Sequence, residues 1–109
     1  MTVTRAIVMH ATGGPEVFKW EDADVGDPGA GQVRLRQTAV GLNFIDTHFR
    51  DGSYPIESLP AIIGFEAAGV VEALGEGVSE VGAGDRVAYS AVMGSYAQVR
   101  LIDAAMLVP

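Results

Sequence analysis

The side chains best suited to chemistry gather in residues 41–54, GLNFIDTHFRDGSY. An amide (Asn43), a carboxylate (Asp46), an imidazole (His48), a guanidinium (Arg50) and a phenol (Tyr54) follow one another there. An imidazole can carry a proton near neutral pH. Amide, guanidinium and phenol groups can orient a polar small molecule by hydrogen bonding. Each residue also has a plain structural use. Asp46 and Arg50 have the i,i+4 spacing of a surface ion pair, worth about 0.3–0.5 kcal/mol on a helix. Asn43 suits a helix N-cap. His48 can serve as a partly solvated aromatic, and Tyr54, before Pro55, as loop packing. Spacing alone does not choose between these uses. It shows that the polar groups cluster where the regular pattern of the chain breaks.

Other chemistries are excluded or weak. The chain has no cysteine, so disulfides, thiolate nucleophiles and cysteine-ligated zinc are absent. Its two histidines, His10 and His48, lack a paired metal-ligand spacing. Gly75-Glu76-Gly77 and Gly82-Ala83-Gly84 each give a G-x-G, but neither has the third glycine of the dinucleotide fingerprint. Both read as turns. A net charge of −7 argues against nucleic-acid and anionic-membrane partners. No segment approaches the ~20 apolar residues of a membrane span, and the N-terminus lacks signal-peptide architecture. A soluble, cytoplasmic location is the expectation.

The elements that must hold residues 41–54 are mostly strands. The chain of 109 residues suits one domain with its own core. Residues 4–9 and 17–21 read as strands separated by the Gly13-Gly14-Pro15 turn. Residues 32–40 alternate, with Val33, Leu35, Gln37 and Ala39 on one side and Arg34, Arg36, Thr38 and Val40 on the other. Residues 43–49 switch to a helical spacing, and Asp51-Gly52 closes that turn. Residues 67–73 read as a central strand, 86–91 as another, and 95–101 as a last pairing segment, with a short strand at 106–108. Glu66 enters an apolar strand, either as its exposed first residue or as a carboxylate at a pocket floor. Many short strands and no long amphipathic helix predict an all-β barrel or sandwich.

The motifs GLNFIDTHFRDGSYP, IIGFEAAGVVEALGEGV, VGAGDRV and GSYAQV together resemble the N-terminal catalytic domain of medium-chain dehydrogenases/reductases. Within them the chain is most similar to the zinc-free NAD(P)H quinone oxidoreductases of the zeta-crystallin type. The resemblance covers essentially the whole chain. It implies an all-β fold with short helices, a GroES-like partly open β-barrel over residues 1–109. It also implies that NADPH (or NADH) is held mainly by a separate Rossmann domain absent from this sequence. Zinc members of the superfamily carry a cysteine where this chain has Asn43 and a histidine where it has Phe65. Residues 89–95 pass directly where the structural-zinc lobe would lie. Zinc independence is therefore expected.

The resemblance further implies hydride transfer to a quinone or related enone, an acceptor that depends on placement more than on a Lewis acid. By the same resemblance Asn43 and Asp46 lie near the nicotinamide, Arg50 helps to hold cofactor or acceptor anions, and Tyr54 lines the acceptor pocket. His48 stands where the subgroup usually has tyrosine, and is expected to deliver a proton to the reduced acceptor. The chain alone is expected to be inactive, and its uncovered interdomain face to favour self-association into a homo-oligomer. An enoyl-thioester reductase of the same superfamily and a non-catalytic GroES-like binding module are the alternatives.

Overall fold

A computed structural model describes residues 3–109. Six strands, one α-helix and two 3-10 turns follow in the order β1 (Val3–Met9), a turn at Pro15–Val17, β2 (Phe18–Asp24), β3 (Gln32–Val40), α1 (Ile45–Asp51), β4 (Glu66–Leu74), β5 (Arg86–Ser90), β6 (Val99–Asp103) and a turn at Ala104–Met106. β1 and β2 form an antiparallel ribbon, and β5-β4-β3-β6 form a second, wholly antiparallel sheet. Ala6 bridges to Ala97 and Met9 to Ala61, joining the ribbon to the larger unit without closing it into a barrel. The all-β class with short helices is thus observed.

The core lies on the inner face of the larger sheet, where Val33 and Leu35 of β3 meet Val71 of β4, Val87 of β5 and Ile102 of β6. Alternating β-branched and polar residues produce that face, because side chains on a strand point to opposite sides in turn. The alternation fails in the second half of β3. Its register with β4 slips between Gln37 and Ala39, so Thr38 is an extra residue. A bulge of this kind bends a strand and re-aims the residues beyond it. Accordingly Ala39, expected on the side of Val33 and Leu35, is exposed, as are Thr38 and Val40. Gly69 answers the bulge from β4, since a Cβ there would press into the Arg36 carbonyl.

Other boundaries move for local reasons. The second strand begins at Phe18 and runs to Asp24, because Pro15–Val17 first makes a 3-10 turn. In place of a strand over 95–101, residues 95–97 join the β1 backbone at isolated points, the Ala6–Ala97 bridge and the Ile7 amide donating to the Tyr96 carbonyl at 2.9 Å. The regular strand is later, at Val99–Asp103. Over 106–108 the chain makes a one-residue bridge, Val108 to Ala88, after the turn at Ala104–Met106.

A smaller core of Met9, Ile63 and Tyr96 sits below the loops, with Phe18, Phe49 and Ile56 packed against it. This second core supports α1. Gly52 ends the helix in the left-handed conformation, φ +89, as expected of the Asp51-Gly52 pair.

Candidate active site

β3 leaves the core at its bulge and delivers residues 41–44 to an open rim. Two grooves flank this exit. One, of about 350 Å³, is lined by Trp20, Thr38, Val40, Leu42, Tyr96 and Gln98 among others. The second, of about 460 Å³, runs along Val40, Gly41, Ala68, Ala88 and Tyr89, and among the described residues Glu66 is its one charged member. Leu42 and Phe44 stand out at the rim, 83% and 79% exposed. Apolar side chains that project this far are costly in water unless something covers them.

Asn43 is held at this rim from two directions. Its backbone N–H donates to Asp46 Oδ2 at 3.1 Å, and its side-chain Nδ2 donates to Glu66 Oε2 at 3.1 Å. It is not the helix N-cap. Phe44 takes that position with helical dihedrals and no capping side chain, while the Asn43 side chain turns to Glu66. The acidic group that serves the first turn comes from inside the helix, at Asp46.

Asp46 is turned inward and is 4% exposed, the one buried residue of α1. Besides the Asn43 N–H, its Oδ2 accepts a hydrogen bond from the Tyr96 hydroxyl. Its Oδ1 is buried and meets no donor among the described residues. The i,i+4 pair with Arg50 does not form: Arg50 Nε donates instead to the Gly13 carbonyl at 3.2 Å, and the Gly13 N–H returns a bond to the Arg50 carbonyl at 2.9 Å. Asp46 and Arg50 therefore fasten α1 to the body of the domain. On the helix His48 lies about 200° from both.

His48 and Tyr54 come together. Their rings stand 5.0 Å apart, and the Tyr54 N–H donates to the His48 carbonyl at 3.1 Å. Phe44 meets His48 edge-on at 5.3 Å, and Phe49 meets Tyr54 at 5.6 Å. Phe65 extends the series, 5.1 Å from Phe49. Offset and edge-on contacts of this sort hold rings at defined angles. The result is an aromatic wall with a half-buried imidazole and an exposed phenol on it.

Glu66 is the exposed first residue of β4 and also a wall of the second groove, so both expected placements meet in one residue. Tyr96 and the phenylalanines of the wall were not legible as site residues from the sequence. Tyr96 lies 50 positions from the aspartate it serves, and nothing in the spacing of GSYAQV signals that partnership.

Burial, then the hydrogen bond and negative charge of Asp46, push the Tyr96 phenol well above the ordinary tyrosine range. Since the folded chain holds this proton more tightly than the unfolded one, the associated stability is full below about pH 10 and is lost as pH rises beyond it. The alkaline limb of a urea-midpoint-versus-pH curve should flatten in Tyr96→Phe. An unchanged limb would remove Tyr96 as its source.

The profile of the alcohol dehydrogenase GroES-like domain matches residues 29–109. The chain belongs to that family. Several relatives of this GroES-like domain are known by activity. A 2-haloacrylate reductase from a Burkholderia species is 48% identical over 107 residues, covering 94% of this chain and 32% of the relative. A quinone oxidoreductase from Pseudomonas aeruginosa is 43% identical, covering 97% of the chain and 33% of the relative. The crystal structure of Escherichia coli quinone oxidoreductase complexed with NADPH aligns with a TM-score of 0.90 at 39% identity, covering 98% of this chain and 32% of that one. The GroES-like domain thus spans about a third of the length of these relatives.

Proposed function

We propose that this domain is the acceptor-binding wall of an NAD(P)H-dependent, zinc-independent reductase acting on a quinone or a related enone. The observation that carries the reading is the rim itself. It places Asn43, His48 and Tyr54 beside exposed apolar and aromatic side chains, in a chain whose relatives include quinone oxidoreductases. The relative named as a 2-haloacrylate reductase extends the acceptor class to other activated alkenes.

The donor set supports zinc independence. The chain contains no cysteine, positions 43 and 65 are asparagine and phenylalanine, and no three His, Asp or Glu side chains converge among the described residues. A nicotinamide fits the rim better than a phosphate would. Asn43 Oδ1 is left without a protein donor among the described residues, so it can accept from a carboxamide. The Gly82 turn satisfies itself, its N–H donating to the Asp85 carboxylate at 2.8 Å, and offers no phosphate cradle. A second, Rossmann-type domain would hold the phosphates.

When bound, the cofactor supplies the hydride. The residues of this domain do the rest. Asn43 orients the nicotinamide end. Phe44, Phe65 and Tyr54 present an apolar aromatic surface against which a planar acceptor can pack. Tyr54 donates to an acceptor oxygen, and His48 delivers the proton that completes reduction. Asp46 and Arg50 act at one remove, by fixing α1.

The test is NADPH-dependent turnover of 1,4-benzoquinone by the full-length reductase, with and without a strong chelator. Chelator-insensitive quinone reduction is expected. Absence of turnover with quinones and activated alkenes alike would overturn the reading. In that enzyme His48→Phe should lower enone turnover by about 10²-fold. Quinone turnover should change less, because the reduced quinone anion is delocalised. Equal rates for both acceptors before and after substitution would remove the proton role.

A further inference from the structure

The proposed reaction gives Glu66 no task, yet the structure builds around it. Gly41 is packed beneath its side chain: a Cβ at position 41 would lie 2.5 Å from Glu66 Oε1, 2.6 Å from its Cγ and 2.7 Å from its Cδ. The Gly41 N–H also donates to the Glu66 carbonyl at 3.1 Å. The glycine lets the carboxylate lie flat across the start of the rim. From there Oε2 reaches Asn43 Nδ2 at 3.1 Å.

This contact has a direction. An ionised carboxylate only accepts hydrogen bonds, whereas an asparagine amide has a donating end and an accepting end. Only the NH2 of Asn43 can face Glu66. We propose that Glu66 is a positioning residue that locks the Asn43 amide with its carbonyl oxygen turned away from Glu66 onto the open rim, so that the rim selects a ligand presenting an N–H donor there. A primary carboxamide is the simplest such ligand. The orientation stands on the structure alone, and its consequence for a nicotinamide rests on the function proposed above.

Two substitutions separate the possibilities. Glu66→Met removes the acceptor. Glu66→Lys replaces it with a donor, so the Asn43 amide must turn round to offer its oxygen to the ammonium. Glu66 is exposed at a strand end, which makes both tolerable to the fold. In nitrogen-15 NMR of this 109-residue chain, Glu66→Met should speed hydrogen exchange at Asn43 Nδ2 by about fivefold, the loss of roughly one ordinary hydrogen bond at an exposed position. Glu66→Gln, which can still present an oxygen, should recover most of the protection. Identical exchange in Glu66→Met and the native chain would overturn the proposal.

In the full-length reductase, Glu66→Lys should raise the KM for NADPH about tenfold and leave kcat within about threefold, as for lost uniform binding. If the exchange result holds and KM does not move, the orientation stands and the assignment of Asn43 to the cofactor falls.

Discussion

Asp46→Ala should cost this domain about 2–5 kcal/mol, read as a lower urea midpoint with an unchanged slope. The figure comes from the two donors left behind. The Tyr96 hydroxyl and the Asn43 N–H both give their hydrogen bonds to Asp46 Oδ2; an orphaned buried donor costs roughly 1–3 kcal/mol, and the half-buried Asn43 N–H adds about 1–2 kcal/mol. An opposing effect is real. A buried carboxylate is itself expensive, and Oδ1 meets no donor among the described residues. Removing the charge recovers some of that expense but cannot restore partners to the two donors. A double-mutant cycle decides which effect wins. If the phenol is the main casualty, Asp46→Ala should cost much less in a Tyr96→Phe background, with a coupling of about 1–3 kcal/mol. Additive losses would mean that the two residues act separately.

The Asp46–Tyr96 contact joins residues 50 positions apart and lies beyond what local spacing dictates. Local spacing on a short helix and its exit turn governs how His48 and Tyr54 meet, and residues 41–54 were legible as the polar stretch that holds them and Asn43. Spacing could not sort Asp46 from His48. Both are polar residues on one short helix, and only the tertiary partner distinguishes inward from outward. That partner is Tyr96, brought in by the segment that crosses β1. The i,i+4 rule for Asp46 and Arg50 failed for the same reason. It weighs a pair worth a few tenths of a kcal/mol, whereas a buried tyrosine and a backbone carbonyl offered each residue a stronger partner.

Fold class was legible from alternation and glycine turns. The bulge at Thr38 was not, since an extra residue in one strand leaves the sequence pattern unchanged. Yet that bulge opens the rim. Without the slip, Ala39 would continue the buried face of Val33 and Leu35. With it, β3 sheds its core contacts three residues before Leu42 and ends between two grooves. The fold and the site meet at this irregularity.

Gly64→Ala should be equally damaging, and its damage should reach the site. Gly64 has φ +95, a conformation that costs an L side chain about 1–2 kcal/mol. A Cβ there would also fall 2.5 Å from Tyr96 Cδ1 and within contact distance of the buried Ser95 Oγ. Those neighbours cannot yield easily: the Gly64 carbonyl accepts from the Gly94 N–H at 3.0 Å and the Ser95 N–H at 3.5 Å, which fixes the two segments against each other. Overpacking adds about 1–3 kcal/mol, for a total of roughly 2–5 kcal/mol. Gly77→Ala supplies the comparison, because Gly77 has φ +82 with nothing within 4 Å of its added Cβ. It should lose the backbone part alone. Any backbone shift that relieves Gly64→Ala must carry Phe65 and Glu66 with it, the next two residues of the chain. The Asn43 side-chain amide should therefore lose protection in Gly64→Ala and keep it in Gly77→Ala. Equal midpoints for the two variants, with Asn43 undisturbed in both, would show that the 64–66 turn is free to adjust and does not set the geometry of the rim.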